Sequence, residues 1–314
     1  MAPAIDAVVI GRNEGARLEA CLASLAGRVR HLVYVDSGST DDSPGVAARR
    51  GARVVALDMT RPFTAARARN AGLAMLQGDG FVQVVDGDCT VVPGWIDTAA
   101  AHLAAHPDLA VVCGRRREVA PEASVYNRLC DREWDTPVGP ATACGGDALF
   151  RLAALRAVGG YRDDLIAGEE PELCLRLRRA GWGIWRLGAE MTRHDAAMTR
   201  FGQWWRRTRR AGHAFAEGAA LHGAGPERHW VRETRRALVW GAGVPGLALL
   251  GALVHPAAVL VLLAWPMQVL RLSRRMGWQV AAFTTLGKLA EAQGALGFYA
   301  DRLLRRRRGI IEYK

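Results

Sequence analysis

Short apolar runs recur along the first hundred residues, and each is stopped by a polar cluster. Ala4–Ile10, His31–Val35, Arg53–Leu57 and Phe81–Val85 read as strands. Between them the pattern changes to helical spacing. Leu18, Leu22 and Leu25 share one face of Ala16–Leu25, and Ser43-Pro44 supplies an N-cap followed by proline for a helix closed by Gly51. Phe63–Leu76 reads as a third helix, carrying Arg67, Arg69 and Asn70. Strands alternating with helices predict an α/β domain, a parallel sheet with helices on both faces, whose ligands sit beyond the carboxyl ends of the strands. Three polar clusters fall at those ends: Arg12-Asn13-Glu14, the run from Asp36 to Asp42, and Asp86-Gly87-Asp88.

Further along, Pro93–His106 predicts a helix and Ala110–Cys113 a strand, whereas Arg115–Thr142 shows no readable period. Gly145–Arg151 followed by Leu155–Gly160 suggests a strand and a short helix packed behind the site. Glu169-Glu170-Pro171 leads into a helix through Ala180. Pro171 at the first helical position puts Glu170 at or near the N-cap, where the helix dipole favours an ionised carboxylate. Glu172, four residues before Arg176, reads as a surface pair.

The last third has a different pattern. Phe201–Phe215 interleaves tryptophan with arginine, as a hydrophobic helix face with a basic flank does. Ala237–Leu270 contains no Asp, Glu, Lys or Arg and is interrupted by His255-Pro256. As one helix it would be about 50 Å long, well beyond a hydrocarbon core of roughly 30 Å. Arginines flank both ends (Arg235, Arg236; Arg271, Arg274, Arg275), so a helical hairpin with both ends on the cytoplasmic side is expected. Val280–Tyr299 reads as a further helix, and the basic tail Arg305–Arg308 as a contact to anionic lipid. The expected division is a catalytic domain over residues 1–215 and a helical membrane-associated region over 216–314.

Charge sharpens that division. The net charge is +11; from Arg200 onward there are 19 Lys+Arg against 6 Asp+Glu, which leaves −2 for the first 199 residues. Such a basic half suits nucleic acid or an anionic membrane surface. No zinc-finger spacing or RNA-recognition signature is present, so no nucleic-acid partner is expected. The six cysteines are scattered without a C-x-x-C pair, as in a reduced compartment. The N-terminus lacks a basic signal-peptide region.

The chemistry starts at FVQVVDGDCT, Phe81–Thr90. In an extended chain, positions two apart face the same way, so Asp86 and Asp88 point together beyond the strand end. Two adjacent carboxylates repel unless a cation lies between or beside them, and hard oxygen ligands suit Mg²⁺ or Mn²⁺ held jointly with substrate phosphates. A carboxylate at the Glu170 position suits a general base.

These residues resemble the family 2 glycosyltransferases of the GT-A fold. The likeness lies in VVIGRNEGARLEACLASL (Val8–Leu25), VYVDSGSTDDS (Val33–Ser43), ARARNAGLA (Ala66–Ala74), FVQVVDGDCTVVPGWI (Phe81–Ile96), GGDALFRLAALRAVGGY (Gly145–Tyr161) and GEEPELCLRLRRAGW (Gly168–Trp182). It implies a Rossmann-like, mostly parallel sheet and inverting transfer of a sugar from a nucleotide-diphosphate donor to an acceptor hydroxyl. By resemblance, Asp36 bonds the base, and Arg12, Asn13 and Glu14 lie close to the nucleoside. Asp86 lies near ribose and metal, Asp88 and His194 at the metal, and Arg67, Arg69 and Asn70 with the Gly145-Gly146 loop line the donor site. Glu170 aligns with the family's usual aspartate base, beside Glu169. The chain departs from the family in having Glu169-Glu170 for Glu-Asp, and Cys89 where an acid often follows the D-x-D. With the apolar hairpin, the expected acceptor is a lipid-linked or envelope glycan at the cytoplasmic face of the inner membrane. Transfer to a polyprenyl phosphate and a non-catalytic donor-binding scaffold stay open as alternatives.

Overall fold

The computed structural model describes residues 3–306 and divides after Ala197 into two units. The expected boundary at 215 falls inside a 22-residue helix, Phe201–His222, which continues unbroken through that position. The Trp/Arg stretch thus belongs wholly to the second unit.

The first unit alternates strand and helix as β1 (Ile5–Gly11), α1 (Ala16–Leu25), β2 (Leu32–Asp36), α2 (Ser43–Arg49), β3 (Arg53–Ala56), α3 (Ala65–Leu73) and β4 (Phe81–Asp86). It continues through β5 (Cys89–Val91), α4 (Trp95–Ala105), β6 (Leu109–Glu118), α5 (Val125–Glu133), β7 (Gly139–Pro140), β8 (Ala148–Arg151), α6 (Leu152–Ala157), α7 (Glu169–Arg179) and β9 (Gly183–His194). All nine strands form one sheet in the order β3-β2-β1-β4-β8-β6-β9-β5, with β7 beside β9. The first four strands are parallel; β8 then runs antiparallel between β4 and β6, which makes the sheet mixed.

The apolar runs form the core because both faces of these strands are covered. Ala7, Val8, Val9, Val33, Val35, Val82, Val84 and Val85 are all buried. Gln83 is the polar exception, and it is satisfied: its amide donates to the Val84 carbonyl and accepts from the Trp95 indole N–H at 2.9 Å. The stretch without a readable period contains the end of β6 and α5. Glu172 is buried rather than at the surface, because the Arg176 guanidinium folds over it at 2.8–2.9 Å while also donating to the Val158 and Gly160 carbonyls.

The second unit is helical: α8 (Phe201–His222), α9 (Val231–Leu238), α10 (Val244–Ala252), α11 (Ala264–Met276) and α12 (Trp278–Leu303). A π-helical turn at Val239–Gly243 joins α9 to α10, and a 3₁₀ segment, Pro256–Leu263, runs into α11. Helices meet here by backbone approach. A Cβ on Gly212 of α8 would lie 2.0 Å from the Glu291 carbonyl oxygen, and one on Gly294 of α12 2.0 Å from the Arg209 oxygen. One on Gly241 would lie 1.8 Å from the Lys288 oxygen. The Trp/Arg stretch packs as a helix face: Trp204 meets Phe283 at 5.1 Å, and the Trp205 indole donates to Gln293.

The uncharged segment folds as a hairpin. Its turn at Val254–His255 donates back to the Gly251 carbonyl, and a Cβ on Gly251 would touch Ala258 of the returning arm at 2.7 Å. Its apolar side chains face outward: Leu253 is 81% and Val254 89% exposed, and Leu249, Leu250, Leu260 and Met267 are exposed too. Among the described residues one helix, Pro256–Met276, is long and apolar enough to cross a membrane. Of the basic tail, Arg307 and Arg308 lie outside the described residues.

Candidate active site

Strand register brings the expected carboxylates to one edge. Gly11 of β1 lies opposite Asp36 of β2 on one side, and Ile10 lies opposite Asp86 of β4 on the other. Asp36 and Asp86 therefore end strands about 10 Å apart, two interstrand spacings. Asp36 is buried; its carboxylate accepts from the Gly38 and Ser39 N–H groups at 3.0 Å and from the Tyr34 hydroxyl at 3.1 Å. Asn13, in left-handed conformation at φ 56°, accepts from the Thr40 N–H at 2.7 Å and donates its own N–H to Ser39. Arg12 and Glu14 sit beside it in the β1–α1 loop, and Glu14 pairs with Arg17.

At the centre is Arg69 of α3, 3% exposed. Its guanidinium donates to Asp86 Oδ1 at 2.8 Å and to Glu169 Oε1 at 2.6 Å, tying the end of β4 to the start of α7. Burial disfavours its charge, but the carboxylates of Asp86 and Glu169 more than compensate and push its proton affinity up. Burial likewise opposes ionisation of Asp86. The attraction of Arg69, then of Arg116 and His194, outweighs it and holds that carboxyl at about 2, against an ordinary 3.8. Arg67 and Asn70 serve elsewhere on the same helix. Arg67 donates to the Asp58, Arg61 and Pro62 carbonyls and so fixes the preceding loop, while Asn70 clamps Tyr161 and Asp163.

Sequence patterning missed three contributors. Arg116 of β6 approaches Asp86 Oδ2 at 3.5 Å and Asp147 Oδ2 at 2.7 Å. Asp147, fully buried, also accepts from the Asp86 N–H and the Thr192 hydroxyl. Trp134 covers this corner, 5.4 Å from the Arg116 guanidinium and edge-on to His194 at 4.9 Å. Asp147 directly follows the Gly145-Gly146 pair, which was a usable signal. Gly146 is hemmed in: an added Cβ would lie 3.1 Å from both Arg69 Nη2 and Asp86 Oδ2, and 3.3 Å from Arg116.

The antiparallel pairing of Cys89 in β5 with His194 in β9 sets His194 Nε2 3.3 Å from Asp88 Oδ2. Both groups are buried, and His194 Nδ1 has no hydrogen-bond partner among the described residues, Glu118 Oε2 lying 4.0 Å away. The Asp88, Cys89 and His194 donor atoms lie within 4.8 Å of one another. A carboxylate oxygen and an imidazole nitrogen fit Mn²⁺, whereas Mg²⁺ prefers an all-oxygen shell. Asp86, expected as a further ligand, pairs with Arg69 and Arg116, and its donor atom also lies within 4.8 Å of those of Cys89 and Asp147.

The helix bearing the paired glutamates starts two residues earlier than Pro171 suggested. Gly168, at φ 80°, is the N-cap, so Glu169 and Glu170 fill the first turn. Glu170 Oε1 accepts from the Cys144 N–H at 2.6 Å and the Cys174 thiol at 2.9 Å. Burial pushes that thiol up to about 11, which keeps it a proton donor to the carboxylate. Among the described residues no cysteine forms a disulfide.

Residues 6–137 match the family model for glycosyl transferase family 2. They are a family 2 glycosyltransferase domain. The chain is 28% identical over 193 residues to the pre-mycofactocin glycosyltransferase of Mycobacterium tuberculosis, covering 56% of this chain and 39% of that one. It is 26% identical over 189 residues to the succinoglycan biosynthesis protein ExoA of Rhizobium meliloti, covering 55% and 57%. It thus spans less than two thirds of the length of these relatives. Among solved structures it resembles a mannosyltransferase of Pyrobaculum calidifontis in complex with GDP-Man and Mn²⁺. That likeness has a TM-score of 0.66 at 22% identity, over 94% of this chain and 88% of the other. The fold is GT-A, with a C-terminal helical region.

Proposed function

We propose that the protein is an inverting, Mn²⁺-assisted glycosyltransferase that moves a sugar from a nucleoside-diphosphate donor to a hydroxyl of a lipid-linked or envelope glycan. The observation that carries this reading is the Arg69 bridge, which joins the D-x-D strand end to the paired glutamates and so brings donor-side and acceptor-side carboxylates to one edge of the sheet. The solved neighbour's GDP-Man and Mn²⁺ agree with that choice of ligand class.

In this reading Asp36 and the Arg12–Glu14 loop receive the nucleoside, and Asp88 with His194 would hold the metal. Bound there, Mn²⁺ supplies positive charge toward the leaving diphosphate. Glu170, held by the Cys144 N–H and the Cys174 thiol, takes the acceptor proton as its oxygen attacks the anomeric carbon opposite the diphosphate. Glu169 is a positioning residue acting through Arg69. Arg69 and Arg116 keep Asp86 ionised and fixed.

The test is a panel of nucleotide sugars with Mn²⁺, reading release of nucleoside diphosphate from the detergent-solubilised chain. Glu170→Gln lowers kcat by a factor of roughly 10²–10⁴ and leaves donor binding intact; Glu169→Gln chiefly raises the donor KM. Equal, modest effects from both would remove the base assignment. The membrane attachment proposed here rests on the exposed apolar hairpin and its arginine-flanked ends. The assignment to the cytoplasmic face follows the arginines.

A further inference from the structure

At the foot of the hairpin, between α9, α11 and α12, lies a cavity of about 260 Å³. Arg236, Trp240, Gln268, Arg271, Thr284 and Lys288 line it, with apolar surface from Leu272 and Met276. The Lys288 ammonium is neutralised by Glu291 at 2.6 Å. Arg236 and Arg271 have no acidic partner among the described residues, so the cavity presents two uncompensated guanidinium groups. Each arginine stands where an apolar arm ends: Arg236 before the outgoing arm and Arg271 after the returning one.

We propose that this cavity binds the phosphate headgroup of an anionic lipid whose hydrocarbon chain lies along the exposed leucines of the hairpin. Guanidinium groups match phosphate oxygens through paired N–H donors. The Gln268 amide and Thr284 hydroxyl offer further polar contacts, and a tryptophan suits the headgroup level of a bilayer. The volume is below the roughly 300–1,000 Å³ of pockets that enclose whole ligands, so it takes a headgroup and leaves the chain outside. Leu272 and Met276 give the cavity an apolar wall that free inorganic phosphate would leave unsatisfied, whereas the first methylenes of a lipid would cover it.

The hairpin geometry agrees. From Ala237 to Ala252 the outgoing arm is about 24 Å long, short of a core of roughly 30 Å. Because the chain turns at Val254–His255 and runs back, Arg236 and Arg271 return to the same headgroup layer, and the cavity between them lies there. This inference rests on the membrane-attached part of the proposed function and not on sugar transfer.

The experiment measures binding of the full chain to phosphatidylcholine vesicles with and without phosphatidic acid. The wild type, Arg236→Gln/Arg271→Gln and the charge-matched control Arg228→Gln/Arg232→Gln are compared, after melting curves show all three folded. Phosphatidic acid is expected to strengthen wild-type binding. The cavity pair should lose roughly tenfold of that affinity, the control pair about twofold or less, and Arg236→Lys/Arg271→Lys should fall between them. Equal losses in both neutralised pairs overturn the proposal in favour of diffuse surface attraction. Displacement from the vesicles by inorganic phosphate overturns it in favour of a free-phosphate site. Failure to bind vesicles of either kind refutes lipid attachment itself, while nucleotide-sugar turnover, measured separately, is unaffected by that outcome.

Discussion

Replacing Arg69 with methionine keeps much of the side-chain volume and removes the charge that two carboxylates share. Arg69 is 3% exposed and bonds Asp86 at 2.8 Å and Glu169 at 2.6 Å, so the variant leaves both acids without their principal cation. Breaking a buried pair by deleting one partner costs about 3–5 kcal/mol. Part of that can be read from Asp86, whose carboxyl lies at about 2 rather than 3.8. This depression is worth about 2 kcal/mol of folded-state stability, the net of burial against the attraction of Arg69, Arg116 and His194. The folded-state value is lowered, so this stabilisation is fully present above pH 4 and is lost as pH falls toward 2. Urea unfolding of wild type and Arg69→Met between pH 7 and pH 2.5 should therefore show a gap of about 3–5 kcal/mol at neutrality that narrows in acid. A gap of the same size at every pH would mean that only packing was lost, and the bridge would not be electrostatic.

Gly146→Ala should raise the donor KM several-fold with little change in melting temperature, because its methyl would crowd Arg69, Asp86 and Arg116 at 3.1–3.3 Å; unchanged kinetics would place the donor elsewhere. Asp88→Asn and His194→Ala should each weaken Mn²⁺ binding by at least tenfold in titrations followed by electron paramagnetic resonance, and retention of wild-type affinity in both would move the metal off this pair. Leu253→Glu/Val254→Glu should abolish flotation with neutral vesicles, since a buried carboxylate at the hairpin tip costs several kcal/mol; continued flotation would show that the tip stays in water. Gly241→Val should destabilise the helical unit by more than 3 kcal/mol, because no rotamer relieves a Cβ 1.8 Å from the Lys288 carbonyl oxygen; a melting curve like that of the wild type would contradict the close backbone packing.

The parallel half of the sheet was legible because both its faces are buried, so strands such as Val8–Ile10 and, apart from Gln83, Val82–Val85 read as apolar runs stopped by polar clusters. Asp36, Asp86 and Asp88 could be placed together because parallel strands deliver their carboxyl ends to one edge, whereas the glutamate pair, on a helix, was tied to them by the family resemblance. The register that pairs Cys89 with His194 comes from β9, more than a hundred residues away, and local spacing carries no record of it. Arg116 was hidden for a related reason. It lies in a run of three arginines that resembles a solvated strand end until Asp147 and Trp134 arrive from other segments. Pro171 misplaced the start of α7 because proline is tolerated throughout the first helical turn, and Gly168, free to adopt positive φ, sets the start. The boundary expected at 215 falls within α8 because amphipathic spacing continues through it: Gly212 and Gly218 lie inside the helix, which runs to His222.

Gly212, Gly241 and Gly294 let main chain rest on main chain in the helical unit. Contact of that kind owes little to expelling water, so it keeps its strength when lipid replaces the surrounding solvent. A scaffold joined in this way can sit at the boundary between two media without changing shape as its immersion varies. Bulkier side chains at these three points would part the helices and remove that independence of the surroundings.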